Sequence, residues 1–175
     1  MQQAKLIKIV KAIILSKKAF VSIESLEKAF LVEEGVTRVD LKKALEKILK
    51  EEDEIYKLVR RAGEYGFELK QEYGKYLQRF NGESREILPR ALLETLTIIA
   101  YKQPVSRGEI AIIRGVDTHL TVYQQLEERG FIRVSGYGGD VGRAMLYSTT
   151  KKFLQYFGLN SLTDLPDFDN SAVTI

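Results

Sequence analysis

The chain has 175 residues, 45% of them apolar and 29% charged, with a formal net charge of +3. That length holds one ordinary domain or two small ones, and the balance excludes a disordered or low-complexity protein. Cysteine is absent and histidine occurs once, at His119, which excludes disulfides, thiolate metal centres and multi-histidine sites and fits a reducing cytoplasm.

The first element is read from Leu6, Ile9, Val10, Ile13 and Ile14, whose three- and four-residue spacing predicts a helix. Its run "LIKIVKAIIL" is broken by Lys8 and Lys11, is too short to span a bilayer and leads into no cleavage site, so neither membrane span nor signal peptide is expected. Ser22 caps a second helix, "IESLEKAF", and Thr37 with Asp40 opens a third that turns Leu41, Ala44, Leu45, Ile48 and Leu49 inward. The period then drops to two: "EIYKLVRR" and "YGFELKQ" flank "AGE" as a hairpin, and a short helix "EYGKYLQRF" follows.

Periodicity lapses at residues 81–87, read as a linker. Beyond it, "RALLETLTIIAYKQ" is helical until Pro104, and Ser106 with Glu109 forms a capping box for "RGEIAIIR", which Gly115 ends. Asp117 is expected to cap "THLTVYQQLEER", ended by Gly130; "FIRVS" and "AMLYSTT" flank a glycine-rich segment, and "KKFLQYF" closes at Gly158. The two halves share one order of elements, and "SKKAFVSIESL" at 16–26 lies over "AYKQPVSRGEI" at 100–110. The fold expected is mainly α with small β-hairpins: a winged-helix domain at 1–80, a second at 88–160, and a tail at 161–175.

Gly136, Gly138, Gly139 and Gly142 fit neither a P-loop nor a dinucleotide-binding spacing, and a strand rather than a helix follows them. They read as a wing, with glycines supplying positive φ where the chain reverses. No catalytic constellation emerges: His119 has no partnered nucleophile, "EEDE" at 51–54 reads as a solvated helix end, and Asp164, Asp167 and Asp169 do not fit a calcium loop. No enzyme activity, metal or cofactor is expected.

Charge tests the DNA reading that a winged helix raises. Residues 1–82 hold 17 Lys and Arg against 13 Asp and Glu, and residues 83–175 hold 10 against 11. The third helix of the second unit has Asp117, Glu127 and Glu128 against Arg129, a poor surface for phosphates. Lys42, Lys43, Lys47 and Arg143 are candidates for a weak nucleic-acid contact, with a solvated lysine face as the preferred alternative. Apolar surplus points instead to protein partners. The first helix shows an apolar arc of about 160° where one core contact needs about 100°, and Ile98, Tyr101 and Ile112 fall off their helices' core stripes. Internal packing is the alternative for each.

"ETLTIIAYKQPVSRGEI", "IRGV" and "LYSTTKKFLQYFGLNSLTDLP" resemble the segregation and condensation protein B family, ScpB, over roughly residues 88–168. The resemblance implies two tandem winged helices without enzymatic activity, binding the ScpA-type kleisin and, through it, the SMC ATPase that condenses and segregates chromosomes. It also implies a cytoplasmic, nucleoid-associated homodimer joined through the first domain, with DNA contacted only indirectly or weakly. On it, the expected homodimer face is Leu6, Ile7, Val10 and Ile14, and the expected kleisin surface is Ile98, Tyr101, Ile112, Phe157, Leu159 and Leu162. The wing departs from the family, reading Val141-Gly142-Arg143-Ala144 where Pro-Gly-Arg-Pro is usual, and so does the third helix of the second domain. The runner-up is a tandem winged-helix transcription regulator.

Overall fold

A computed structural model of the chain describes residues 2–81, 88–138 and 143–167. The chain divides into two compact units, Met1–Arg85 and Glu86–Ile175, and each is a winged helix. From residue 82 on, the expected linker lies outside the described residues, as do the wing tip at 139–142 and the tail from 168.

The N-terminal unit runs α1 (Gln3–Leu15), α2 (Ile23–Glu27), a 3-10 turn (Val32–Glu34), α3 (Arg38–Leu49), β1 (Tyr56–Arg61), β2 (Glu64–Leu69) and α4 (Gln71–Asn81). Ser22 accepts the Ser25 N–H at 3.1 Å at the start of α2, which ends at Glu27, short of the Phe30 expected. Thr37 and Asp40 form the full reciprocal box on α3: the Thr37 N–H donates to Asp40 Oδ2 at 3.0 Å, and the Asp40 N–H to Thr37 Oγ1 at 3.2 Å. In the hairpin Arg61 already pairs with Glu64, so the reversal is Ala62-Gly63 alone, at φ 50° and 80°, the left-handed pair a type I′ turn requires. α1 packs on α3 along one side and β2 along another, closing a core around Val10, Leu26, Leu41 and Leu45.

The C-terminal unit runs α5 (Arg90–Lys102), β3 (Val105–Ser106), α6 (Arg107–Arg114), α7 (Leu120–Glu128), β4 (Ile132–Gly138), β5 (Ala144–Thr149) and α8 (Lys151–Tyr156), then a 3-10 turn at Leu162–Asp164. Its antiparallel sheet has the order β3-β5-β4. The Ser106–Glu109 box forms as expected, and Gly115 ends α6 at φ 70°. α7 starts later than its composition predicts. Thr118 is drawn into the core, its hydroxyl accepting from Arg114 Nη1 at 2.7 Å, so His119 rather than Asp117 takes the N-cap and accepts the Thr121 N–H. Gly136 and Gly138 are strand residues of β4 without positive φ, one of them beside a bulge between Val134 and Gly136. Gly138 instead leaves room for Leu146, whose Cδ1 would lie 3.2 Å from a Cβ there.

The faint repeat in the letters has a structural counterpart. Val21 bridges Tyr65 on β2 through two 2.8 Å hydrogen bonds, and Val105 pairs with Tyr147 on β5. In both units the valine precedes a serine that caps the next helix. Val-Ser thus marks where the chain touches the second hairpin strand and turns into a helix.

Candidate partner-binding surfaces

The face expected to join two subunits is internal. Leu6, Ile7, Val10 and Ile14 are all buried in the core of the N-terminal unit. The wide apolar arc of α1 is real, but α3 and β2 cover it from two directions, and little remains for a second chain.

The exposed apolar face of that unit lies on α4 instead. Tyr73, Tyr76, Leu77 and Phe80 follow the i, i+3, i+4, i+7 spacing and share an arc of about 100°. Tyr76 and Leu77 are exposed, and Phe80 is 88% exposed. Tyr73, half-buried, anchors the helix by donating from its hydroxyl to the Glu54 carbonyl at 3.2 Å. Two further exposed apolar residues, Ile55 and Leu69, sit at the adjoining hairpin ends, where the Lys70 N–H donates to the Ile55 carbonyl. The spacing within "YGKYLQRF" marks this stripe in the sequence itself.

In the C-terminal unit the six residues expected to meet the kleisin separate into two groups. Ile98 is buried in the core, with Leu159 packed half-buried against it. Tyr101 is half-buried and donates from its hydroxyl to the Pro166 carbonyl at 2.6 Å. The segment after α8 accounts for Leu159 and Tyr101, because Leu159 and Leu165 fold back onto the core and Pro166 reaches Tyr101. Ile112, at 81%, and Phe157 and Leu162, both just over a third, are exposed. Ile113 is exposed as well, and Ile110 is fully buried.

Two local arrangements organise the exposed members. Arg114, with its side chain only 12% exposed, donates from Nη2 to Glu94 Oε2 at 2.8 Å and so ties the end of α6 to α5. Glu94 also accepts from Arg90 Nε at 2.6 Å, and the Arg90 and Arg114 guanidiniums hold its carboxyl below the usual range. Exposed Ile112, Ile113 and Val116 surround that tie along the chain. At the other arrangement Phe131, Phe153, Tyr156 and Phe157 form a ring cluster with centroids 4.8–6.2 Å apart, presenting Tyr156 and Phe157 outward. Tyr123, buried, stacks on Tyr147 at 5.1 Å beneath the Arg107 guanidinium, and burial raises its hydroxyl pKa.

The candidate nucleic-acid lysines Lys42, Lys43 and Lys47 all lie exposed on α3, and Arg143 is exposed at φ 42° before β5. α7 exposes Thr121, Gln124, Glu127 and Glu128. Among the described residues no group of three or more His, Asp or Glu is placed to hold a metal, and no helix is long and apolar enough to cross a membrane.

Residues 8–168 match the family model described as segregation and condensation complex subunit ScpB. The chain is similar to segregation and condensation protein B of Bacillus licheniformis, 36% identical over 152 residues that cover 87% of this chain and 73% of that one. Against the Enterococcus faecalis protein of the same name identity is 38% over 144 residues, 81% of this chain and 71% of that one. Against the Syntrophotalea carbinolica protein it is 41% over 109 residues, 62% and 55%. The chain thus spans between about half and three quarters of the length of these relatives. The crystal structure of ScpB from Mycobacterium tuberculosis is 26% identical, with 91% of this chain and 98% of that one covered and a TM-score of 0.40.

Proposed function

Since the chain belongs to the family of the segregation and condensation complex subunit ScpB, we propose that it is a non-catalytic adaptor acting in chromosome condensation and segregation. It binds an ScpA-type kleisin and, through it, an SMC ATPase, as a homodimer in the cytoplasm, associated with the nucleoid. The observation that carries this reading is the family match over residues 8–168, which takes in both winged helices. Exposed apolar side chains on both units supply its physical basis, because large apolar groups left in water on small domains are recovered by burial against other chains.

The homodimer forms through α4. An antiparallel pairing of two copies would bury Tyr76, Leu77 and Phe80 against the α4 stripe of the other copy. Glu72 and Arg79, seven residues apart on one flank of the stripe, would then face each other across the pair, because equivalent flanks meet when helices run antiparallel. In the C-terminal unit Ile112, Phe157 and Leu162 meet the kleisin.

Two measurements test these assignments. Tyr76→Glu with Phe80→Glu is expected to give a folded monomer in sedimentation velocity; a persistent dimer removes α4 from the interface. Titration of the purified ScpA-type kleisin of the same organism into this chain is expected to show saturable heat, weakened at least tenfold by Ile112→Glu with Phe157→Ala. Absence of heat with the unaltered chain overturns the adaptor reading.

A further inference from the structure

We propose that the N-terminal winged helix carries a sequence-independent contact for duplex DNA on the solvent face of α3. In a winged helix the third helix is the element offered to the major groove, with the hairpin beside it. α3 occupies that place and packs against β1. It presents exposed Lys42, Lys43 and Lys47, with Lys50 at its C-cap, against exposed Glu46 and half-buried Asp40, which interacts with Lys43. On β1, Lys57 and Arg60 are both exposed but on opposite faces of the hairpin, Arg60 over the Tyr65 ring.

Three of the neighbouring carboxylates are paired with cations, while Asp40 acts on Lys43 and Glu52 and Glu54 stand exposed after α3. Glu24 and Glu27 are engaged by Arg38, Glu51 pairs with Lys11, and Asp53 accepts the backbone N–H groups of Ile55 and Tyr56 at 2.9 and 3.2 Å. The second winged helix is an internal control of the same architecture. At the matching place α7 exposes Glu127 and Glu128, while Arg129 is half-buried and donates to the Gln125 carbonyl at 3.3 Å. One fold therefore presents a cationic third helix and an anionic one.

The residue types define the ligand. Lysine can reach guanine O6 and N7, but it is a point charge equally suited to phosphate, and the planar groups that fix a bidentate geometry belong to Arg, Asn and Gln. The one arginine of α3, Arg38, is committed to Glu24 and Glu27, and the helix has no Asn or Gln. The contact is thus with the phosphate backbone and not with a chosen sequence.

Fluorescence anisotropy of the 175-residue chain with a labelled duplex of arbitrary sequence tests the proposal. Three or four phosphate contacts predict a slope of log affinity against log salt of about −3, a loss of roughly 40- to 150-fold between about 50 and 200 mM salt. Lys42→Gln, Lys43→Gln and Lys47→Gln together should weaken binding at the lower salt more than tenfold and flatten the slope. Lys17→Gln, Lys18→Gln and Lys102→Gln remove the same charge elsewhere and should change affinity less than threefold, with circular dichroism reporting the fold of both triples. The proposal is overturned by no binding at low salt, by equal losses in the two triples, or by tight preference for one sequence. Equally strong binding of polyglutamate or of vesicles rich in anionic lipid would also overturn it, since the surface would then be a general anion binder.

Discussion

The two winged helices of this chain share a scaffold and differ in what they leave outside. Each places a Val-Ser step against the second strand of its hairpin, caps the following helix with the serine, and buries a third helix on the first. In the N-terminal unit the last helix, α4, stands with its apolar stripe exposed. In the C-terminal unit Leu159, Leu165 and Pro166 fold back toward α5, while Tyr156 and Phe157 at the end of α8 stay exposed. The third helices differ in sign as well. Internal contacts constrain the cores to one solution, while outward residues carry no such constraint and can specialise.

The sharpest test of that contrast sets a buried apolar residue against an exposed one in the same unit. Ile7→Glu should destabilise the N-terminal unit by more than about 4 kcal/mol, because it buries a carboxylate without a partner, and should abolish its thermal transition. Phe80→Glu should cost within about 0.5 kcal/mol in a monomeric background. Next in size, Leu45→Ala and Leu126→Ala, each fully buried in a different core, should cost about 2–5 kcal/mol apiece. Differential scanning calorimetry is expected to show each variant lowering one transition and sparing the other; a shared shift would join the two units energetically.

Smaller effects come from polar ties. Arg114→Ala removes donors to Glu94 and to the buried Thr118 hydroxyl and should cost about 1–2 kcal/mol in urea denaturation. Ser106→Ala should cost about 1 kcal/mol, whereas Ser22→Ala should cost less, because Ser25 stands where a reciprocal glutamate would close the box. The smallest effect is on pH dependence. Backbone and hydroxyl hydrogen bonds from Ser106 lower the Glu109 pKa from its ordinary 4.5. Its stabilisation is therefore complete above that value and is lost as pH falls through the lower folded value. Urea midpoints taken at decreasing pH below about 4.5 should fall less steeply for Glu109→Gln than for the unaltered chain.

What was legible in the letters was local. The capping pairs Thr37–Asp40 and Ser106–Glu109 lie three residues apart, and helical geometry alone brings them together. The hairpin of the first unit and the core positions Leu41, Ala44, Leu45 and Ile48 of α3 were legible for the same reason, but Leu49, expected inward, is exposed, and α5 buries Ile98, which its spacing had turned outward. The two-residue β3 was not legible, since a strand so short exists only because β5 lies beside it. The late start of α7 depended on Arg114 reaching Thr118 from the preceding helix. Among the candidate site residues, Ile112, Phe157 and Leu162 are exposed as expected, while Leu6, Ile7, Val10, Ile14 and Ile98 are not. A helical wheel gives the direction of each side chain, but not the neighbour waiting there.

The amino-acid sequence by itself determined the element types, the tandem order of the two winged helices and the family, because periodicity, caps and motif letters act between residues close along the chain. Tertiary structure decided which apolar faces stay in water. Burial depends on where distant segments return: residues 159–166 return onto α5, whereas among the described residues Tyr76, Leu77 and Phe80 of α4 stay exposed.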